Sequence, residues 1–261
     1  MLTLTDDEKA MLDGRHGKAR QKAMDLLVRY AEALGAERFV DTRNVAGVPG
    51  SANAFLQQYY KGKGGPGGDA IFSYFDLDAD ELVEAPNAVV HTCHLQGGAD
   101  PLHWETLGVG EEIVRGHEAR EAFAVSKGVR ILKTCTPYLA GNLPAFGEHC
   151  AWMESSAIVY CNSVLGARTN TEGRESTGAA MLTGRIPYWG LHLDENRRAT
   201  HVVELDIEVE SVEDWGLLGY YIGEHVQERV PVVHSKRGIG RVPNLPRLKH
   251  FGAAASSMIL V

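Results

Sequence analysis

The chain has little positive charge and no long apolar run, and both shortages exclude classes of protein. Its 261 residues carry a formal net charge of -8, whereas a protein that binds nucleic acid usually presents a basic face to the phosphates. No run approaches the roughly 18–20 apolar residues that a membrane-spanning helix needs. The opening sequence MLTLTDDEKAML lacks the basic and apolar regions of a secretory signal. We therefore expect a cytoplasmic protein that binds neither nucleic acid nor membrane.

Cysteine is scarce as well, and the cysteines have no spacing typical of a structural site. The four are Cys93, Cys135, Cys150 and Cys161. They form neither a CxxC pair nor a zinc-finger pattern, and a disulfide framework is not expected in a reducing cytosol. The glycine-rich P-loop pattern is also missing. We expect Cys93, Cys150 and Cys161 to be small buried side chains, which leaves Cys135 as the candidate for chemistry.

What the chain does have is the composition of a globular protein and clear helix signals near its start. It is 44% hydrophobic and 23% charged, which is enough apolar content for a sizeable core. Thr5 and Glu8 have the spacing of a helix-capping box. Apolar residues then recur at helical spacing from Lys18 to Leu34, and Gly35 is a plausible end for that helix.

The rest of the chain alternates apolar segments with helical ones. Residues 87–95, 128–134 and 155–166 have the apolar character of buried strands, and residues 110–127 have a helical pattern between two of them. Residues 200–210 alternate apolar and polar side chains, as a half-exposed strand does. This order predicts an α/β fold with a largely parallel sheet and flanking helices. No internal repeat or clear domain linker is visible.

Polar residues follow the predicted strands, where α/β sheets bind their ligands. Cys135 is one of them, since it comes after an apolar run and just before a Thr-Pro turn. Three interpretations of Cys135 are open: a nucleophile with His149 or His94 as its base, a metal ligand, or a polar cap of a strand end. The residues alone therefore indicate an α/β enzyme with an anion-binding pocket, and no histidine or lysine stands out as a general base.

Three segments of the chain together resemble one known family. They are residues 2–37, residues 133–173, which begin KTCTPYLAGNLP, and residues 180–197, which read AMLTGRIPYWGLHLDENR. They are similar to the aconitase X family, a branch of the aconitase superfamily, and the similarity extends over essentially the whole chain. The resemblance implies an aconitase-like fold and a hydro-lyase that removes water from a small hydroxy acid. It also implies an iron–sulfur cluster, 2Fe–2S or 4Fe–4S, held by three cysteines, one iron of which can act as a Lewis acid.

The resemblance assigns roles to particular residues. Cys135 matches the first cluster cysteine of the family. Arg168 is open to two interpretations, a clamp on a substrate carboxylate or an ion pair with Glu172. The positions that match substrate-binding segments are Gly47, Val48 and Ser51 in a glycine-rich loop, and Asn162 and Ser163 as a contacting pair. Gln96 and Gly97 stand where archaeal members have Asn-Pro, and this difference favours cis-3-hydroxy-L-proline over phosphomevalonate as the substrate.

The resemblance also implies parts that these 261 residues do not contain. In the family, the other two cluster cysteines lie in a later stretch, and a small swivelling domain completes the enzyme. We therefore expect residues 1–261 to be the N-terminal part of a catalytic region that needs a small swivel-domain subunit or a missing C-terminal portion. One thiolate does not hold an iron–sulfur cluster in water. Two hypotheses follow: a part of a dehydratase, or a non-catalytic remnant that retains only binding.

Overall fold

The structure, a computed structural model, describes residues 1–47, 88–95, 100–235 and 244–258. The helices are α1 (Asp6–Leu12), α2 (Lys18–Leu34), α3 (Glu111–Ser126), α4 (Ser155–Ser163), α5 (Arg174–Thr183), α6 (Val212–Val226) and α7 (Leu245–Met258). The strands are β1 (Phe39–Asp41), β2 (Asn44–Gly47), β3 (His91–His94), β4 (Arg130–Ile131), β5 (Cys150–Trp152), β6 (Arg185–Pro187), β7 (His201–Leu205) and β8 (Pro231–Ser235). Three short 3₁₀ helices, Pro137–Ala140, Gly190–His192 and Glu195–Arg197, lie in the connections.

Four parallel strands in the order β4-β3-β2-β5 form the central sheet. Alternate residues of a strand point to opposite faces, and β2 shows this clearly. Val45 belongs to a core shared with α2 and α5, whereas Ala46 belongs to a second core with Trp152 and α4. The sheet is therefore covered on both faces, and the predicted α/β fold with a parallel sheet and flanking helices is confirmed.

The local signals read from the N-terminal sequence are confirmed. The Thr5 side chain accepts a hydrogen bond from the Glu8 amide, and the Glu8 carboxylate accepts one from the Thr5 amide. Helix α2 has the predicted bounds and ends at Gly35, which adopts the left-handed conformation (φ 71°) that glycine tolerates best. The helix predicted over residues 110–127 is α3 (Glu111–Ser126). The strand predicted over residues 200–210 is shorter, His201–Leu205, and its exposed positions include the apolar Val202.

One predicted strand is wrong. Residues 155–166 were expected to form a buried strand, but Ser155–Ser163 is the helix α4. The buried side chains are Ala157, Ile158, Tyr160 and Cys161. This spacing places them on one face of a helix, and a short apolar run cannot distinguish that pattern from a buried strand. The correction matters because Asn162 and Ser163 then lie at a helix end, not after a strand.

Residues 201–258 form a smaller unit around their own core. Strands β7 and β8 pair in parallel, and their inner side packs with Trp215 and Leu218 of α6. Helices α6 and α7 approach closely because Gly219 and Gly223 face the backbone of Phe251 and Ala255, where a Cβ atom would collide. None of the helices in the described ranges is long and apolar enough to cross a bilayer.

Candidate functional site

Cys135 lies at the carboxyl-terminal edge of the central sheet, as the sequence predicts for a chemical group. It is exposed, between the end of β4 and the 3₁₀ helix Pro137–Ala140. The Thr136 amide donates to the Thr134 hydroxyl (3.1 Å), which shapes the turn that carries the thiol. Glu154, which follows β5 at the same edge, is close to Cys135. Partial burial and the negative charge of Glu154 both raise the pKa of the Cys135 thiol, so the thiol is protonated at neutral pH unless a metal displaces the proton.

The other three cysteines are buried, which confirms the prediction for each of them. The Cys93 sulfur accepts a hydrogen bond from the Asn142 side-chain amide (3.2 Å) and lies 3.5 Å from His91 Nε2. Burial raises the pKa of Cys93 to about 11. Cys150 and Cys161 are neighbours between β5 and α4, and their proximity together with burial raises the pKa of the Cys150 thiol. All three cysteines are packing groups, and the raised pKa values keep the Cys93 and Cys150 thiols protonated at neutral pH.

An iron–sulfur cluster does not fit the described residues taken alone. Within these ranges, no three His, Cys, Asp or Glu side chains converge on a point where a metal ion could sit. Cys135 is the exposed thiol, and the buried positions of Cys150 and Cys161 direct them into the core. Such a cluster needs three or four ligands, so the described part of the chain supplies one of them at most.

The structure does not support His149 as a base for Cys135. His149 immediately precedes β5, at the amino-terminal edge of the sheet. Its Nδ1 atom lies 2.9 Å from Nδ1 of His192, so the imidazole is engaged there. The alternative with His149 as base is therefore wrong. The side chain of His94, the other candidate base, lies outside the described residues.

Asn162 lies near the carboxyl end of α4, and its side chain is fully engaged by neighbouring groups. Its Nδ2 atom donates to the carbonyls of Ile158 (3.1 Å) and Thr169 (2.8 Å). Its Oδ1 atom accepts from the Arg197 guanidinium (2.7 Å) and from the Thr169 amide (3.3 Å). Because α4 runs back across the sheet from Glu154, this end of the helix lies away from Cys135. The contacts give Asn162 a structural role, and the substrate contact expected for it stays a prediction.

Arg168 lies beside the start of β5, where its backbone pairs with that of His149. Its guanidinium donates to the carbonyl of His192 (2.8 Å) and pairs with the carboxylate of Asp194. It does not pair with Glu172, so that alternative is wrong. The clamp on a substrate carboxylate stays a prediction, and the Asp194 side chain, which is 79% exposed, is the group that a ligand would have to displace.

His192 and Arg197 are the members of this region to which the sequence assigned no role, although both belong to a polar segment that was noted. His192 is completely buried and its Nε2 atom has no hydrogen-bond partner among the described residues. Burial, together with His149 and the positive charges of Arg168 and Arg197, lowers the pKa of His192 to about 3. The imidazole is therefore neutral at neutral pH. The motif that contains both residues was visible in the sequence, but nothing in it showed that they would meet Asn162 and Arg168. We call Asn162, Arg168, His192 and Arg197 the arginine cluster.

Glu172, expected only as a possible partner of Arg168, lies at the same edge of the sheet as Cys135. Its amide donates to the carbonyl of Trp152, the last residue of β5. Its carboxyl group is buried, and neither oxygen has a partner with hydrogen-bond geometry in the described part of the chain. Burial raises the pKa of Glu172 to about 7, although the nearby Ser176 and Tyr30 hydroxyls oppose this. Glu172 therefore titrates near neutral pH.

Of the remaining predicted substrate-binding residues, the structure describes Gly47 and Ser163. Gly47 is the last residue of β2 and packs against the Thr177 side chain, where a Cβ atom would collide. Ser163 is exposed at the end of α4. The other three predicted substrate-binding residues, Val48, Ser51 and Gln96, lie outside the described residues. Gly47 and Cys135 therefore lie at the carboxyl-terminal edge, whereas Ser163, Asn162 and Arg168 do not.

Comparison with known proteins agrees with this architecture along nearly the whole chain. The sequence profile described as "Aconitase X first domain" matches residues 1–195, and the profile of the second domain matches residues 199–259. The crystal structure of Thermococcus kodakaraensis aconitase X (holo-form) superposes with a TM-score of 0.75 at 33% identity, covering 99% of this chain and 60% of that one. The chain belongs to the aconitase X family.

Relatives with names that state an activity are dehydratases. The phosphomevalonate dehydratase large subunit of Methanocaldococcus jannaschii is 36% identical over 260 residues, which cover 97% of this chain and 60% of the relative. The cis-3-hydroxy-L-proline dehydratase of Hypocrea jecorina is 33% identical over 261 residues, which cover 98% of this chain and 40% of the relative. The chain thus spans about 60% or less of the length of these relatives.

Proposed function

We propose that this chain is the part of a hydro-lyase that removes water from a small hydroxy acid. The observation that supports this most strongly is the similarity to dehydratases along nearly the whole chain. The position of Cys135 supports it independently. An exposed thiol follows a strand at the carboxyl-terminal edge of a parallel sheet, which is where α/β proteins bind their ligands.

Cys135 is, in this proposal, one ligand of the enzyme's iron–sulfur cluster. The raised pKa of its thiol makes it a poor nucleophile without a metal. A metal ion would favour the thiolate by displacing the proton. Since the described residues do not complete the ligand set, the other thiols have to come from outside these residues.

Two substrates are candidates within the hydroxy-acid class. The sequence favours cis-3-hydroxy-L-proline through Gln96 and Gly97, which lie outside the described residues. The phosphomevalonate dehydratase large subunits favour the second candidate, phosphomevalonate, because those of Methanocaldococcus jannaschii and Methanothermobacter thermautotrophicus are 36% and 38% identical to this chain. Both candidates are small hydroxy acids that carry an anionic group.

The proposal includes a partner and a compartment. Several relatives are named as large subunits, so we propose that this chain works with a small subunit, or with further sequence, that supplies a swivelling domain. Residues 1–261 would then be the N-terminal part of the catalytic region. We propose the cytoplasm as the compartment, because the thiolate ligands of an iron–sulfur cluster need reducing conditions.

The test is a dehydration assay on the protein isolated without oxygen from its own cells, together with any subunit that accompanies it. Each candidate substrate is incubated separately, and the dehydrated product is quantified by mass spectrometry. Loss of 18 mass units from one of the two substrates supports the proposal and identifies the substrate class. If neither substrate loses water, the proposal for these two substrates fails, and a preparation that also carries no iron supports the alternative of a non-catalytic binding protein.

A further inference from the structure

A cavity lies at the amino-terminal edge of the central sheet, opposite the edge that carries Cys135. It has a volume of about 830 Å³, which is in the range of small-molecule sites. The segments that precede β2 and β5 form its walls, together with α1 and the start of β6. Its lining is rich in charged side chains. Only those without a partner of opposite charge are available to bind a ligand.

The single guanidinium of Arg185 is surrounded by three carboxylates, so this end of the cavity carries an excess of negative charge. The Arg185 guanidinium pairs with the carboxylates of Asp7 (3.1 Å), Glu8 (3.0 Å) and Asp41 (3.0 Å). Glu8 is almost fully buried and also accepts the Thr5 amide of the capping box. This end of the cavity is a closed ion-pair network, and it has no spare positive charge to offer a ligand.

The charges at the other end of the cavity are not neutralised in the same way. Arg38 stacks on the Tyr188 ring, 3.8 Å from its centroid, and donates to the carbonyl of Phe39 (3.4 Å), so its partners are uncharged. Arg43 is exposed, and within the described residues its guanidinium has no hydrogen-bond or ion-pair partner. The carboxylate that lines this end, Glu148, accepts the Ala145 amide (2.8 Å). Two guanidinium groups thus face the cavity without a carboxylate of their own.

His149, which also lines the cavity, lies in a net positive field. Burial lowers the pKa of His149, and the guanidinium groups of Arg168, Arg38 and Arg197 lower it further, against a smaller opposite effect of Asp194. Burial is the largest cause, but the three guanidinium groups add to it, and such a concentration of positive charge favours a bound anion. Guanidinium groups bind carboxylate and phosphate groups with two parallel hydrogen bonds, which adds geometric selectivity.

We propose that this cavity binds a small anion that carries a carboxylate or phosphate group, held by Arg43 and Arg38 beside His149. The site lies on the opposite edge of the sheet from Cys135, so it is separate from the proposed dehydratase site. The inference rests on the arginines and the cavity, and it does not depend on the proposed function. An anion bound there contacts residues that precede β2, a central strand of the sheet, and β5, the edge strand that pairs with it.

The test is calorimetric titration of the whole protein with inorganic phosphate and, separately, with succinate. The wild type is expected to bind at least one of them saturably. Arg43→Gln is expected to weaken that binding about tenfold, since one charge-assisted pair is lost. The control is Arg115→Gln, which removes an equal charge from an exposed position on α3 that pairs with Glu111. This control is expected to bind like the wild type.

A second readout is the His149 imidazole, followed by NMR through a pH titration with and without the saturating anion. The anion is expected to raise the pKa of His149 in the wild type and not in Arg43→Gln. Absence of saturable binding for both phosphate and succinate would overturn the inference, as would equal weakening in Arg115→Gln. Neither readout measures dehydration, so failure here leaves the proposed function untouched.

Discussion

The polar side chains at the two edges of the central sheet differ in how many of them have hydrogen-bond partners. At the amino-terminal edge, the side chains of Asn162, Arg168 and Arg197 hydrogen-bond to neighbouring side chains and backbone carbonyls, and of the arginine cluster only His192, through Nε2, keeps a buried polar atom without a partner among the described residues. At the carboxyl-terminal edge, Cys135 is exposed and Glu172 is buried without a hydrogen-bond partner among the described residues. Satisfied polar groups hold a structure together, whereas unsatisfied ones at a strand end are more typical of a site. The contrast indicates that the polar residues of this chain serve two purposes, structural support at one edge of the sheet and chemistry at the other.

The largest expected effect is on the dehydration rate, and it comes from a substitution at the carboxyl-terminal edge. Cys135→Ser removes the exposed thiol, and we expect the dehydration rate to fall by more than about 100-fold because a cluster ligand is lost. The melting temperature is expected to change little, since the side chain is exposed. The matched control is Cys161→Ser, which alters a buried thiol. It is expected to lower the melting temperature and to leave the dehydration rate per folded molecule nearly unchanged. A normal dehydration rate in Cys135→Ser together with a lost rate in Cys161→Ser would contradict the difference between the two edges.

The pH dependence of stability on the acid side tests the environment of His192 at the amino-terminal edge. The pKa of His192 in the folded protein is about 3, below its ordinary value of 6.5, so the unfolded chain binds a proton more readily between these values. Stability is therefore expected to fall as the pH drops below about 6.5. His192→Asn, which can still offer a polar atom to His149, is expected to flatten this dependence. The check is urea unfolding of both proteins at several pH values from 4 to 7, and an unchanged slope in the variant would contradict the assignment.

Glu172 predicts the opposite pH dependence. Its pKa is raised from 4.5 to about 7, so the folded state holds the proton more tightly and stability is lost as the pH rises from about 4.5 through 7. Glu172→Gln keeps the shape without the charge and is expected to stabilise the protein at pH 8 by on the order of 3 kcal/mol. Chemical denaturation at pH 5 and pH 8 measures this. Equal stability changes at both pH values would mean that Glu172 does not titrate in this range.

A smaller effect is expected from Asn162, which distinguishes structure from substrate contact. Asn162→Ala removes one acceptor of the Arg197 guanidinium, which keeps the backbone carbonyls of Leu191 and of residue 162, and it leaves the Thr169 amide and carbonyl without their side-chain partner, at a cost of about 2 kcal/mol. The dehydration rate per folded molecule is expected to stay the same. The control is Ser163→Ala at the neighbouring exposed position, which should change neither quantity. A raised KM in Asn162→Ala without loss of stability would instead establish the substrate contact.

The smallest expected effect concerns the first helix, away from both edges. Thr5→Ala removes the side chain that accepts the Glu8 amide, and we expect a loss of about 1 kcal/mol of stability. Thr5→Ser keeps the hydroxyl and serves as the control. Thermal unfolding measures both, and an equal loss in the two variants would show that the capping bond is not what the substitution removes.

Local patterns predicted the elements well where one physical signal dominated. The capping box at Thr5 and the bounds of Lys18–Leu34 follow from side-chain chemistry and helical spacing within a few residues. Helix α4 was misassigned because its apolar residues suit either a helix or a strand, and only packing against β5 decides between them. The division between the two family domains, near residues 195–199, carries no glycine- or proline-rich linker, so composition did not reveal it.

The site was predicted in part, for a topological reason. Cys135 was placed correctly because a residue that follows a parallel strand lies at the carboxyl-terminal edge wherever the strand sits in the sheet. Arg168 could not be placed, because its position depends on how the chain returns from α4 to lie beside His149. Glu172 was noticed as a polar residue, but its burial beside Tyr30 depends on the packing of α2 on α5, which the local sequence does not encode.

The most direct test of the account is a measurement of iron and acid-labile sulfide in the protein isolated without oxygen from its own cells. The wild type and Cys135→Ser are compared with Cys161→Ser as the control. The account predicts that the wild type and Cys161→Ser carry iron and sulfide in the same ratio to folded protein, and that Cys135→Ser loses both. Full iron and sulfide in Cys135→Ser would contradict the central claim that the carboxyl-terminal edge, through Cys135, is where the chemistry takes place.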